Sequence, residues 1–241
     1  MKRKISLVFG GVAMATLALS TACHAQTVDE AFLMKTRDLM IEYHLKGRGI
    51  SDSRVLEAMA TTPRHKFVPE NLQVFSYADQ PLPIGLGQTI SQPYIVAIMT
   101  ELLKPEPEHV VFEVGTGSGY QAAVLSPLVK EVYTVEIVPE LGEMSAKRLR
   151  ELGYDNVHVR IGDGYAGWPE RAPFDRIIVT CGAEEIPPPL IEQLKPSGIM
   201  VIPVGPFNQV QELMVIEKAE DGEITTRAVM PVRFVPLTGE R

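Results

Sequence analysis

The sequence predicts an α/β protein: a doubly wound, mostly parallel sheet, with antiparallel strands at its C-terminal end and an N-terminal helical segment. Three observations predict it. Short Val- and Ile-rich runs alternate with helical stretches after Pro107. A Gly-x-Gly-x-Gly turn joins the first of those runs to a helix. Two later runs flank an Asp-Gly turn. Continuous apolar runs are what strands covered on both faces require. With 45% hydrophobic and 22% charged residues over 241 positions, the chain has the apolar mass to fold, which excludes a disordered protein. A net charge of −7 argues against non-specific nucleic-acid binding, which needs a basic surface.

Residues 1–25 read as a separate element. Lys2-Arg3-Lys4, an apolar run from Ile5 to Leu19 and the small residues around Ala22 and Ala25 form a secretory leader pattern. The run is shorter than the roughly 20 residues a membrane span needs. Cleavage is expected after Ala25. A cut before Cys23 is the weaker alternative, because Ser20 stands where a branched apolar residue is usual, and an uncleaved anchor is a third. Without the leader, Cys181 is the single cysteine, so no intrachain disulfide forms. Cys181 follows an apolar run and is expected to be buried and inert. No later apolar segment reaches membrane-spanning length, so the mature chain is expected to carry no span.

The elements follow in order. Phe32, Leu39 and Tyr43 recur at helical spacing between Val28 and Leu45, with Leu33, Met34, Met40 and Ile41 widening the stripe. Gly47 and Gly49 stop that helix. Ser51 or Asp52 caps a second helix over 53–60, ended by Pro63. Residues 64–90, rich in Pro and Gly, read as irregular. Ser91-Gln92-Pro93 reads as a helix start, with Ser91 as N-cap and Pro93 in the first turn. That helix runs to about Leu103, and Pro105 and Pro107 mark a domain or layer boundary. Strands are expected at 110–114, 132–135, 157–161, 177–180 and 199–204, and helices at 120–129, 139–152 and 188–194. Runs at 212–217 and 224–235 around Asp221-Gly222 read as a closing hairpin.

The sharpest signal is Val110-Val111-Phe112-Glu113-Val114-Gly115-Thr116-Gly117-Ser118-Gly119. A buried strand enters a glycine turn, and a helix follows whose N-terminus offers free N–H groups and a partial positive charge. Glu136 lies 21 residues after Gly115, at the end of the second strand, where an acid can accept hydrogen bonds from both hydroxyls of an adenosine ribose. Gly162-Asp163-Gly164 ends the third strand; Asp163 is placed to receive an adenine amino group, though an Asx turn looks the same. Two cofactors suit such a sheet, a nicotinamide dinucleotide and S-adenosylmethionine. The dinucleotide fingerprint puts its third glycine one place later, where this chain has Tyr120. A pyrophosphate wants a cradle of N–H donors, whereas an ammonium group wants carboxylates and carbonyls.

Glu113 with Gly115, Gly117 and Gly119 resembles the class I methyltransferase pattern, acid-x-Gly-x-Gly-x-Gly. In that family the acid helps hold the loop and the amino group of the methionine moiety. The segment Pro83-Ile84-Gly85-Leu86-Gly87-Gln88-Thr89-Ile90-Ser91-Gln92-Pro93-Tyr94 resembles the signature of the protein-L-isoaspartate O-methyltransferases. Similar stretches are Pro63–Val68, Gly162–Gly164, Pro173-Phe174-Asp175 and Val232-Arg233-Phe234-Val235-Pro236-Leu237. Together they span about Val28 to Leu237.

The resemblance implies a Rossmann-like methyltransferase fold and repair of damaged proteins. A methyl group would pass from S-adenosylmethionine to the free α-carboxylate of an L-isoaspartyl residue. It implies Ser91 as the active-site serine. It places Gln88, Thr89 and Ile90 beside the cofactor together with Glu113, Gly115, Thr116, Gly117, Ser118, Gly119, Glu136, Asp163 and Gly164. Val232 and Arg233 fall in the stretch enclosing the peptide. Residues 26–105 would form the helical and substrate-loop segment, and 106–241 the S-adenosylmethionine-binding domain. The family is typically cytoplasmic, whereas the leader says export. His44, His65, His109 and His158 lie far apart and suggest no metal site. Two other readings are a nicotinamide-dependent oxidoreductase and a non-catalytic envelope protein retaining the fold.

Overall fold

The computed structural model describes residues 29–207 and 209–239. The leader, with Cys23 and His24, lies outside the described residues. Among the described residues no helix is long and apolar enough to cross a membrane.

Helix α1 spans Glu30–Leu39, capped by the Asp29 carboxylate accepting from the Ala31 N–H at 3.2 Å. It does not continue regularly to Leu45. A π-helical turn, Met40–Leu45, follows, then a 3-10 turn, Lys46–Arg48, closed by Gly49 at φ 97°. The buried stripe differs from the expected one: Leu33, Met40 and Leu45 are buried, whereas Phe32, Leu39 and Tyr43 are exposed. Helix α2, Ser53–Thr61, is capped by Asp52, whose carboxylate accepts from the Arg54 N–H at 2.8 Å.

Residues 64–90 are more ordered than their composition suggests. Two 3-10 segments, Arg64–Phe67 and Glu70–Phe75, lead to an antiparallel hairpin of β1 (Leu82–Gly85) and β2 (Gln88–Ile90). Strands of four and three residues are too short to show a period. Helix α3 spans Pro93–Leu103, and Pro93 is its first residue as expected. Its N-cap is Gln92, not Ser91, and no side chain caps it locally. Asp79 serves instead: its Oδ1 accepts from the Tyr94 N–H at 3.2 Å, and its Oδ2 takes Gln92 Nε2 at 2.8 Å and Arg48 Nη1 at 2.7 Å. A carboxylate at a helix N-terminus is stabilising wherever in the chain it comes from.

The sheet contains β3 (Val110–Val114), β4 (Glu131–Glu136), β5 (Val157–Ile161), β6 (Phe174–Val179), β7 (Leu194–Val204), β8 (Gln211–Lys218) and β9 (Ile224–Val232). Their spatial order is β5-β4-β3-β6-β7-β8-β9. The pairs from β5 through β7 are parallel, and the last two are antiparallel. Helices α4 (Tyr120–Leu125), α5 (Pro139–Glu151) and α6 (Pro188–Gln193) fill the crossovers. The chain winds outward through β3, β4 and β5, then returns to place β6 on the other side of β3. That reversal leaves a crevice at the carboxyl ends of β3 and β6, where open α/β sheets bind ligands.

One face of the sheet buries Phe112, Phe174, Leu190 and Met200, with Phe112 and Phe174 stacked at 4.8 Å. The other face packs Val111, Val132 and Val201 in one cluster with Leu33, Met59, Phe67 and Leu103 from the N-terminal segment. The closing hairpin turns at Gly222, φ 90°, and β9 ends at Val232 rather than at Val235. Residues beyond it leave the sheet and run beside Gly182, whose N–H donates to the Val235 carbonyl at 2.8 Å.

Candidate active site

The glycine loop, residues 115–119, hangs from the end of β3 over the crevice. All three glycines have positive φ: 95° at Gly115, 53° at Gly117 and 86° at Gly119. Two also answer to close packing. A Cβ at Gly115 would sit 2.7 Å from Thr180 Oγ1, and one at Gly119 would sit 3.1 Å from Leu149 Cδ1. At Gly117 a Cβ would meet nothing nearer than 3.9 Å among the described residues beyond its chain neighbours, so that glycine keeps the crevice itself open.

Four of the five backbone N–H groups of this loop have partners among the described residues. Gly115 and Thr116 donate to the Val135 carbonyl at 2.9 and 3.1 Å, Gly117 to Glu136 Oε2 at 2.8 Å, and Gly119 to the Thr116 carbonyl at 2.8 Å. The Thr116 hydroxyl meets that of Thr134 at 2.7 Å. Ser118 Oγ accepts from the Tyr120 N–H at 3.3 Å. Helix α5 secures the carbonyl side: Ser145 donates to the Gly117 carbonyl, and Arg148 Nη1 to that of Ser118 at 2.8 Å.

Glu113 and Glu136 dominate the electrostatics. Glu113 is fully buried in the crevice wall, and among the described residues neither of its oxygens has a hydrogen-bond partner. Burial pushes its pKa up to about 8. The neighbouring Thr134 hydroxyl offsets part of this, and Glu136 adds to it. Glu136 Oε1 accepts from the Val138 N–H at 3.0 Å, fixing the carboxylate at the strand end. Cys181 also lines the crevice, buried, with its thiol pKa driven up by burial and by the two nearby carboxylates. It is therefore a poor nucleophile, as expected.

The crevice wall contains Gln88, Thr89, Ile90, Ser91, Gly115, Thr116, Gly117, Ser118 and Gly164 as well. The side chain missing at Gly164 is required by Val114, whose Cγ1 would lie 2.5 Å from a Cβ there. Two of the expected residues are not in the wall. Gly119 caps α4 and packs on Leu149, and Asp163 forms an Asx turn, accepting from the Tyr165 N–H at 2.8 Å beside Gly239. A second cleft adjoins the first. Val232 and Arg233 line it, with Arg48, Ile95, Met230 and Phe234 among their neighbours. Thr89, Ser91, Thr180 and Val235 line both cavities, so the two spaces meet at the serine loop.

Sequence reasoning gave no role to Thr180, Ser145, Arg148 or the stretch Val235–Thr238. Thr180 Oγ1 donates to the Gly115 carbonyl at 2.6 Å, and residues 235–238 roof the crevice. Their only sequence signals were the C-terminal motif and the end of an apolar run. Among the described residues no group of acids, histidines or cysteines is arranged to hold a metal.

A sequence model described as protein-L-isoaspartate(D-aspartate) O-methyltransferase matches residues 34–241. The chain belongs to that family. It is 60% identical over 193 residues to a protein-L-isoaspartate O-methyltransferase 2 of Syntrophobacter fumaroxidans, covering 80% of this chain and 78% of the relative. A solved protein-L-isoaspartate O-methyltransferase superposes with a TM-score of 0.75 at 30% identity, over 84% of this chain and 66% of that one. Another, from Plasmodium falciparum in complex with S-adenosyl-L-homocysteine, gives 0.70 at 26% identity, over 86% and 98%.

Family membership makes the chain an S-adenosylmethionine-dependent methyltransferase; the oxidoreductase and non-catalytic readings find no support. The crevice fits that donor. It presents two carboxyl groups and, among its described lining residues, no Lys, Arg or His. A buried carboxyl without a partner suits an ammonium group, and a wall of carboxylates suits a sulfonium. A pyrophosphate would find no cation among the described lining residues, and most loop donors are already engaged.

Proposed function

We propose that this chain methylates the free α-carboxylate of L-isoaspartyl residues in damaged proteins, with the donor in the glycine-loop crevice and the peptide in the adjoining cleft. The observation that carries this reading is the meeting of the two cavities at Ser91. Glu113 takes the donor's amino group, and Glu136 the ribose hydroxyls. Gly164 faces the adenine end, and Gln88, Thr89 and Ile90 close the opposite wall. When bound, S-adenosylmethionine supplies an electrophilic methyl group on a cationic sulfonium.

The chain's own task is then alignment and exclusion of water. An α-carboxylate has a pKa near 3.5 and is already the nucleophile at neutral pH, so no general base is required. The Ser91 hydroxyl donates a hydrogen bond to one carboxylate oxygen or to the neighbouring peptide group, leaving the other oxygen to react. Val232 and Arg233 enclose the peptide on the far side of the cleft. The neighbouring backbone amide nitrogen then attacks the ester carbonyl spontaneously, methanol leaves, and water opens the resulting succinimide in part to normal aspartate.

The test is transfer of labelled methyl from S-adenosylmethionine to an isoaspartyl peptide and to its aspartyl twin. Labelling of the isoaspartyl peptide alone is expected. Equal labelling of both, or none of either, would end the substrate assignment.

A further inference from the structure

Arg64 does not line the crevice, yet its guanidinium touches both sides of the site. It is fully buried. Nε donates to the Ser76 carbonyl at 2.6 Å, and Nη2 to the Ser91 carbonyl at 2.7 Å. Its Cζ lies 4.8 Å from the centroid of the Tyr120 ring. Tyr120 directly follows Gly119 and opens α4. One side chain thus ties together the end of a 3-10 segment, the serine loop and the first residue beyond the glycine loop.

A guanidinium is an expensive choice for filling space. Removing it from water is unfavourable unless its donors are met, and Nη1 here is buried without a partner among the described residues. An apolar side chain of similar volume would pack without that penalty. What the guanidinium does, and an apolar chain cannot, is hold two carbonyls in fixed directions while lying over a ring. Burial lowers its pKa to about 10, against the opposing influence of Tyr120, so it stays charged at neutral pH. The Ser91 carbonyl is a backbone group, so gripping it fixes the loop itself and with it the origin of the Ser91 side chain.

We infer that Arg64 is a positioning residue for methyl transfer: it sets the spacing between the serine loop, which presents the acceptor, and the glycine-loop helix, which presents the donor. This rests on the assignment of Ser91 to the acceptor side. Transfer between two bound groups is sensitive to their separation, and a shift of about 1 Å can cost on the order of a hundredfold in rate. Lysine would keep the charge but reach one carbonyl and lose the planar fork.

The test compares wild type, Arg64→Lys, Ser91→Ala and the double variant. It measures kcat and KM on an isoaspartyl peptide, the Kd of S-adenosylhomocysteine by calorimetry, and the melting temperature. All rates are taken where every variant is folded. Arg64→Lys is expected to lower kcat about tenfold or more while the Kd stays within about threefold. The double variant is expected to fall little below Ser91→Ala alone, because both act through one loop. A folded Arg64→Lys with wild-type kcat would overturn the inference. So would proportional losses of kcat and ligand affinity, or full additivity with Ser91→Ala. Should the lysine variant fail to fold, Arg64→Met, which buries no charge, carries the same comparison. An inactive wild type, or a fully active Ser91→Ala, would instead refute the assignment of the site and leave the Arg64 arm clearly distinguishable.

Discussion

Replacing Glu113 with Gln should weaken ligand binding and stabilise the free protein at the same time. The carboxyl is buried, unpartnered and raised to about 8. At pH 7 it is then about 90% protonated in the free protein. An ammonium ligand needs the carboxylate, so binding must expel close to one proton. If the bound carboxylate stays ionised between pH 6 and 7, affinity for S-adenosylhomocysteine should rise about ninefold over that range, or ~1.3 kcal/mol. The Gln variant has no proton to release and should bind weakly and without that slope. Stability moves the other way. Below about pH 4.5 the group is protonated both folded and unfolded and has no effect. Above it the unfolded chain ionises while the folded one does not, so stability falls as pH climbs towards 8. At pH 7 the accumulated cost is on the order of 3 kcal/mol, which Gln largely escapes. Titration calorimetry in two buffers of different ionisation enthalpy reads the proton release, and scanning calorimetry reads the stability. A wild-type affinity flat between pH 6 and 7, or the same slope in both proteins, would refute the pairing of Glu113 with an ammonium group.

Four further outcomes follow from the site and the fold. Ser91→Ala should reduce kcat/KM about tenfold to a hundredfold, the value of a lost hydrogen bond in a dry site, with S-adenosylhomocysteine affinity within threefold; equal losses of both would make Ser91 structural. Gly117→Val places a β-branched residue at φ 53° with its side chain in the open crevice, and should abolish ligand binding in a calorimetric titration. Asp175 accepts from the Val110 N–H at 2.8 Å and from Lys195 at 2.9 Å, and these outweigh the opposing effect of burial to hold its pKa low. Its contribution is therefore present at neutral pH and lost on acidification, so Asp175→Asn should cost about 1–2 kcal/mol at pH 7 by denaturant melt and less in acid. In the second cleft Arg48 is already paired with Asp79, whereas Arg233 is exposed. Arg233→Glu should raise the KM of an isoaspartyl peptide with an acidic neighbour severalfold at low salt, and little at high salt; a KM unchanged at low salt would separate Arg233 from the peptide.

The strands from Val110 to Val204 and the Asp221-Gly222 turn were legible from the chain because their signals are local. A strand covered on both faces needs a continuous Val/Ile run, and a tight hairpin needs a residue that accepts positive φ. The glycine loop was legible for the same reason, since positive φ at Gly115, Gly117 and Gly119 is a property of single residues. The site was legible less through geometry than through the motif from Pro83 to Tyr94, which resembles a known family.

What the chain alone leaves open are contacts between residues distant in sequence. Nothing around Ser91 says that its carbonyl is held by Arg64, 27 positions earlier, or that Asp79, not Ser91, serves the start of α3. The N–H groups of Gly115, Thr116 and Gly117 look free until Val135 and Glu136 are brought beside them by the pairing of β3 with β4. The same holds for Glu113. Its place in the motif is local, but the isolation that raises its pKa exists only after the surrounding layers close over it. Local φ/ψ preference and apolar periodicity are written in neighbouring residues. Burial, and the partners that burial demands, arise only when remote segments meet.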